Sequence, residues 1–231
     1  PQNRTLAHNA EKRGGSLDQI DAIAISHLHP DHMGGLKASR KKRVLLPDKL
    51  GAPKGQPCFL PDKAAAPGFK VELVEKPQPL AAGIYSTGPL ARSLFFMGWT
   101  EEQALVARIK GKGLVVFTGC GHPTIEVILK MVSRLSNEKI YVIGGGLHFP
   151  VTGGRGSYGG IQAQGLVGTG KPPWLRITDN DLDIAIKAIN SAKPDKVLLS
   201  AHDTCDYSIE RLKKELKSET DVLKAGASYR L

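Results

Sequence analysis

Along the chain, short apolar runs alternate with stretches in which apolar positions recur every three or four residues, the two periods of strands and helices in an α/β domain. Residues 21–26 read as a buried strand and 34–40 as a short helix, after an early helix around His8. Residues 103–109 and 114–118 read as strands joined by Lys110-Gly111-Lys112-Gly113, a hairpin turn supplying positive φ. The segment 123–135 is helical, with Pro123 in its first turn and Ile125, Ile128, Leu129 and Val132 on one face. A strand at 139–143 follows. A helix at 178–192 opens with a Thr-x-x-Asp box, a strand occupies 196–200, and a helix capped by Asp206 covers 206–217. Prolines break 47–89, leaving room there only for short strands such as 71–74. The glycine-rich stretch 144–173 is too long for a mere connector and suits a functional lid. The expectation is a single domain over residues 1–231.

Composition narrows the class. The 231 residues are 41% hydrophobic and 23% charged, ordinary soluble globular usage that fits neither disorder nor a fibrous chain. No apolar run approaches a membrane span, and residues 1–10 lack a charged start followed by an apolar stretch, so neither a transmembrane segment nor a signal peptide is expected in the sequence given. Cys58, Cys120 and Cys205 are odd in number and widely spaced, which argues against a disulfide framework and leaves the compartment open. The net charge of +10 favours an anionic partner without choosing among phosphate esters, nucleic acid and anionic surfaces. Nucleic acid has the weaker footing, since the basic run Arg40-Lys41-Lys42-Arg43 has no interleaved aromatics.

The sequence His27-Leu28-His29-Pro30-Asp31-His32 directly follows the first strand. His27 and His29 lie two apart and share a face in an extended exit, while Asp31 and His32 follow in the turn and reach a second position. Imidazoles with a carboxylate suit zinc. Four ionisable groups packed together without an ion would repel or stay solvated, which weighs against simple helix capping. His122, His148 and His202 each follow a predicted strand, the placement expected for convergence on one site beyond the carboxyl ends of a sheet. His8, in the early helix, is not expected to take part.

Three competing sites are weaker. Gly165-x-x-x-x-Gly170-Lys171 imitates a phosphate-binding loop, but Pro172 stands where Ser or Thr is required. Cys120 and His122 could be a thiol nucleophile and its base, without an identifiable third residue to orient them. Arg155, within Gly153-Gly154-Arg155-Gly156, could join backbone donors around an anion.

His27-x-His29-x-Asp31-His32 followed by Gly34-Gly35-Leu36 resembles the signature of the metallo-β-lactamase superfamily. Thr118-Gly119-Cys120-Gly121-His122-Pro123 and Ile143-Gly144-Gly145-Gly146-Leu147-His148 resemble the branch named for dihydropterin-methyl-aminobenzene phosphate synthase. The resemblance implies an αββα sandwich. It also implies two or more strands ahead of the histidine motif, so the sequence reads as N-terminally incomplete, with a polypeptide segment supplying those strands as an expected partner. The superfamily's bridging Asp falls near Cys120, which suggests a ligating or supporting role for that thiol. The branch's His-Cys-Thr-Gly is replaced by Ala201-His202-Asp203-Thr204-Cys205, a departure bearing on the substrate. The related diiron branch would carry Glu at His29, so dizinc hydrolysis is favoured over redox chemistry.

The resulting expectation is a metal-dependent hydrolase with one or two divalent ions, zinc first among them. His27, His29 and His122 hold the first ion; Asp31, His32 and His202 lie at the second; His148 stands at the margin or on substrate; Asp31 is the catalytic carboxylate. The substrate is small and anionic, a phosphoester or cyclic phosphodiester, with an ester or lactone as the alternative. A non-catalytic metal-binding module is the contrasting class.

Overall fold

The computed structural model describes residues 2–153, 157–158, 161–162, 168–172 and 174–231. Its centre is a mixed sheet ordered β14-β13-β10-β9-β8-β5-β4, where β4 is Gln78–Ala81, β5 Ile84–Ser86, β8 Leu105–Ile109, β9 Gly113–Phe117, β10 Ile140–Gly145, β13 Lys196–Leu199 and β14 Glu219–Val222. The expected β8–β9 hairpin forms, antiparallel from Leu105↔Phe117 to Ile109↔Gly113. From β9 onward the strands run parallel, each return made by a helix: α4 (Ile125–Leu135), α5 (Asp179–Ala192) and α6 (Asp206–Glu215).

Period-two alternation decides what each face buries. Leu114, Val116, Ile143, Val197 and Leu199 pack with Ile125, Ile128, Leu129 and Val132 of α4, Leu182, Ile186 and Ile189 of α5, and Ile209 and Leu212 of α6. Val115, Val142 and Leu198 form the other face, covered in part by Tyr229 and Leu231. Because β9, β10 and β13 are parallel, their carboxyl ends emerge together, and the segments carrying His122, His148 and His202 leave the same end of the sheet.

After the expected early helix, α1 (Gln2–Lys12), a smaller parallel sheet, β1 (Ile23–Ala24), β2 (Pro57–Leu60) and β3 (Lys70–Leu73), packs with α2 (Pro30–Met33) and α3 (Leu36–Arg40) around Ile25, Met33, Ala38, Val44, Cys58, Leu60 and Ala66. Buried Gln103 ties the two sheets together: its Nε2 donates to the Ile25 and Phe59 carbonyls at 2.8 and 3.2 Å, and its backbone N–H to Ser26 O at 2.8 Å. The first histidine motif is thereby fixed against the large sheet. A further hairpin, β6 (Leu90–Leu94) with β7 (Gly98–Glu102), and a short ladder of β11 (Ser157–Tyr158) with β12 (Ile161–Gln162) complete the strands described. No helix among the described residues is long and apolar enough to cross a membrane.

Several local expectations change. The proline-broken stretch does keep to short strands, β2 to β5, with β3 near the expected 71–74; Pro57 opens one of them and Pro79 lies on β4 at the sheet edge, where a missing donor is tolerated. The hairpin of β6 and β7 had no strong alternating signal and was not expected, nor was β14. Helix α4 begins at Ile125 after Thr124 at φ 79°, so Pro123 belongs to the preceding turn rather than to the helix. Cys205, not Asp206, is the N-cap of α6, and Asp206 is its first helical residue. The capping box of α5 forms as expected between Thr178 and Asp181.

Candidate metal centre

The chain leaves β1 extended and enters α2 at Pro30, with His29 as the N-cap at φ −74° and ψ 159°. This extended exit brings His27 and His29 together, and their rings meet edge to face with centroids 4.5 Å apart. His122, delivered by the turn after β9, closes the group at 4.8 Å from the His27 ring and 4.6 Å from that of His29. One ligand atom from each of these three histidines lies within 4.8 Å of the others.

The remaining ring nitrogens are held by the protein. His27 Nδ1 lies 3.1 Å from Ser26 Oγ, which also sits 3.2 Å from His32 Nδ1. His122 Nδ1 is 2.9 Å from the Gly168 carbonyl, and His29 Nε2 is 3.2 Å from Thr100 Oγ1. What is left is telling: among the described residues the Nε2 atoms of His27 and His122 are buried and have no hydrogen-bond partner, as is also true of Nε2 of the neighbouring His148 and Oδ1 of Asp203. A buried ring nitrogen without a partner is costly, and a ligand histidine fixed through its other nitrogen is the usual arrangement at a metal. His27 and His122 fit a divalent ion on this ground, and His29 joins them by the ligand atom it brings within 4.8 Å of theirs. Gly168 permits the packing, since a Cβ there would stand 2.7 Å from His148 Cε1 and 3.1 Å from His122 Cε1.

A second group adjoins the first. Asp31, Cys120 and His202 bring ligand atoms within 4.8 Å of one another, as do His27, His32 and Cys120. Asp31 Oδ2 lies 3.1 Å from both His32 Nε2 and His202 Nε2, and Cys120 Sγ lies 3.3 Å from His32 Nε2. The thiol thus faces His32 rather than His122 in the hydrogen bonds found among the described residues.

Electrostatics follow from burial and crowding. Burial, then the charges of His32, His122 and His29, push His27 well below the usual imidazole range. Burial takes His29 down to about 4 and, with His148 and His29 beside it, His122 down to about 3. All three are neutral imidazoles near pH 7, the form that binds metal. Burial raises Asp31, but hydrogen bonds from His202 and His32 outweigh it and hold the carboxyl well below its ordinary value. The Cys120 thiol is pushed up by burial and by the Asp203, Asp31 and Glu102 carboxylates.

Three supporting residues escaped the sequence reading. Glu102 accepts the backbone N–H groups of Gly119, Gly121 and His122 at 3.0, 2.9 and 3.0 Å, fixing the turn that presents His122. Thr100 holds His29. Asp203 Oδ2 sits 3.3 Å from Nδ1 of His148, whose ring is 5.1 Å from that of His122. His148 is therefore beside the centre but outside the three ligand groups found among the described residues. Thr100 and Glu102 share one face of β7, a pattern that names no partner without the fold. Arg155 lies outside the described residues, as do 154, 156, 159–160, 163–167 and 173 of the glycine-rich stretch; Lys171 of the imitation phosphate loop is paired with Asp181 at 2.6 Å.

This architecture, two sheets with helices on their outer sides and histidines at the strand ends, is the metallo-β-lactamase fold. A solved structure described as Tm1679, a metal-dependent hydrolase of the β-lactamase superfamily, superposes with a TM-score of 0.68 over 97% of this chain and 84% of that one, at 23% identity. A metallo-β-lactamase fold protein, YhfI from Bacillus subtilis, aligns at 12% identity and a TM-score of 0.49 over 93% of this chain and 79% of that one. The family model described as the metallo-beta-lactamase superfamily matches residues 2–46, which include the whole first histidine motif. The chain thus carries the superfamily's sequence pattern in that segment and its fold almost throughout. No curated protein matches the sequence.

Proposed function

We propose that the protein is a metal-dependent hydrolase, that zinc is its ion, and that its substrate is a small anionic ester, a phosphoester or cyclic phosphodiester. The observation carrying this reading is the pair of buried, unpartnered Nε2 atoms of His27 and His122, beside a third histidine whose Nε2 is already engaged. His27, His29 and His122 would hold one ion. Asp31, His32, Cys120 and His202 offer a carboxylate, imidazoles and a thiol for a second, with His148 at the border. When bound, a divalent ion supplies Lewis acidity and a water that ionises near neutral pH.

The chain's own residues do the rest. Asp31, kept ionised by His32 and His202, is an acceptor that orients a water proton. A carboxyl held so low is a poor proton carrier, so orientation is its larger contribution. Ser26, Thr100 and Gly168 fix the ring planes and tautomers of His27, His29 and His122. Glu102 fixes the turn carrying His122. The net charge of +10 raises the local concentration of an anionic ester.

The test is a hydrolysis screen over phosphodiesters, lactones and thioesters with zinc-loaded and chelator-treated protein. Turnover of a phosphodiester that disappears on chelation and returns with zinc is the expected result. Turnover confined to lactones or thioesters would replace the substrate class. No turnover in the loaded protein would count against the enzyme.

A further inference from the structure

A cleft of 460 Å³ leads away from His29 and Thr100. Leu28 and Lys42 line it from the histidine-motif side, and Phe96 and Trp99 from the hairpin of β6 and β7. The hairpin's outer end is unusually apolar for a surface. Phe96 is 57% and Trp99 70% exposed, and Phe95 packs edge to face against Phe96 at 4.9 Å and Trp174 at 5.6 Å. Both of the chain's tryptophans stand in this group, although aromatics are only 6% of the sequence. Contiguous exposed aromatic surface of this kind marks a binding site more often than a bare surface.

The hairpin is also anchored to the metal centre. On β7, Thr100 and Glu102 turn inward, to His29 and to the turn carrying His122, while Trp99 and Glu101 lie on the opposite side of the strand. Trp99 is therefore held one residue from the group that fixes a candidate ligand. Asp62 and Glu101 also line the cleft against one lysine, Lys42, a balance that disfavours a negatively charged group on the occupant away from the histidines.

Resting on the hydrolase reading above, we propose that this cleft is a substrate subsite in which Phe96 and Trp99 receive a neutral, planar aromatic group attached to the anionic centre being hydrolysed. The anionic part would lie at the histidines, and the ring between α2 and the hairpin. Aromatic packing adds to what burial alone contributes, so the ring should matter to binding on its own.

Two non-hydrolysable probes, phenylphosphonate and methylphosphonate, separate the ring from the anion. Calorimetric titration of the zinc-loaded chain should show phenylphosphonate binding at least about tenfold more tightly. The double variant Phe96→Ala/Trp99→Ala should bind both probes with the affinity the wild type has for methylphosphonate, at unchanged zinc content, while Trp99→Phe should keep the phenyl preference. Equal affinities in the wild type, or a preference surviving in the double variant, would overturn the subsite while leaving the hydrolase intact. Failure of both probes to bind would overturn the subsite together with the anionic-substrate reading. A phenyl preference lost in the double variant would support the subsite even if the hydrolysis screen found no turnover.

Discussion

Glu102 Oε2 accepts the backbone N–H of His122 at 3.0 Å, while the other carboxylate oxygen accepts those of Gly119 and Gly121. One buried side chain thus satisfies three amides in a turn that belongs to neither helix nor strand. Burial raises the Glu102 carboxyl, and the three N–H bonds pull it back. Glu102→Ala leaves these amides without their acceptor and is expected to lower stability by roughly 3 kcal/mol, with a matching loss of metal content. Urea unfolding checks it; a midpoint unchanged from the wild type would show that the turn holds without Glu102.

His29→Ala is expected to lower metal occupancy strongly with little loss of soluble protein, because its ring lies at the partly exposed side of the group. His27 is wholly buried, so His27→Ala should cost occupancy and stability together. Elemental analysis beside thermal unfolding separates the two; unchanged metal content in His29→Ala would remove that residue from the ligand set.

Asp31→Asn keeps the side-chain volume and removes the charge paired with His32 and His202. Turnover on the substrate identified by screening should fall at least about a hundredfold, with less effect on the first ion than His27→Ala. Full turnover in Asp31→Asn would contradict the role given to this carboxylate.

The pH dependence has a definite sign. His29 and His122 titrate at about 4 and about 3 in the fold, against roughly 6.5 in the unfolded chain. The unfolded state therefore takes up more protons below about 6.5, and stability present above that pH is lost as the pH falls toward those folded values. His202, raised first by its hydrogen bond to Asp31, contributes in the opposite sense, its share fading as pH rises through its folded value. Urea midpoints of the metal-free chain between pH 7 and 4 should fall; a rise would show that the histidines are not held neutral.

Much of this was legible in the sequence. The first motif, the β8–β9 hairpin, the parallel strands and the helical face of α4 all rest on local periodicity, and the common direction of β9, β10 and β13 follows from the helices between them. Glu102, Thr100 and Asp203 were not legible, because each acts on a partner distant in sequence or on the backbone, and no spacing encodes that. The close approach of two strand ends also stayed hidden: a Cβ on Gly146 would lie 2.6 Å from Gly119 O. Glycine there lets the turn carrying Cys120 and His122 pack on the end of β10.

Gly146→Ala should therefore push that turn outward, lowering stability by about 1 to 3 kcal/mol and weakening metal binding. Metal titration of the purified variant checks it, and affinity equal to the wild type would show that the turn accommodates the methyl group.

The central claim is that three neutral histidines form a metal centre. Elemental analysis of protein loaded with zinc and dialysed against metal-free buffer tests it most directly, with His27→Ala and His122→Ala alongside. One or two zinc ions per chain in the wild type, lost in whole or in large part from both variants, is the predicted result; a wild type without bound zinc, or variants retaining the full amount, would contradict it.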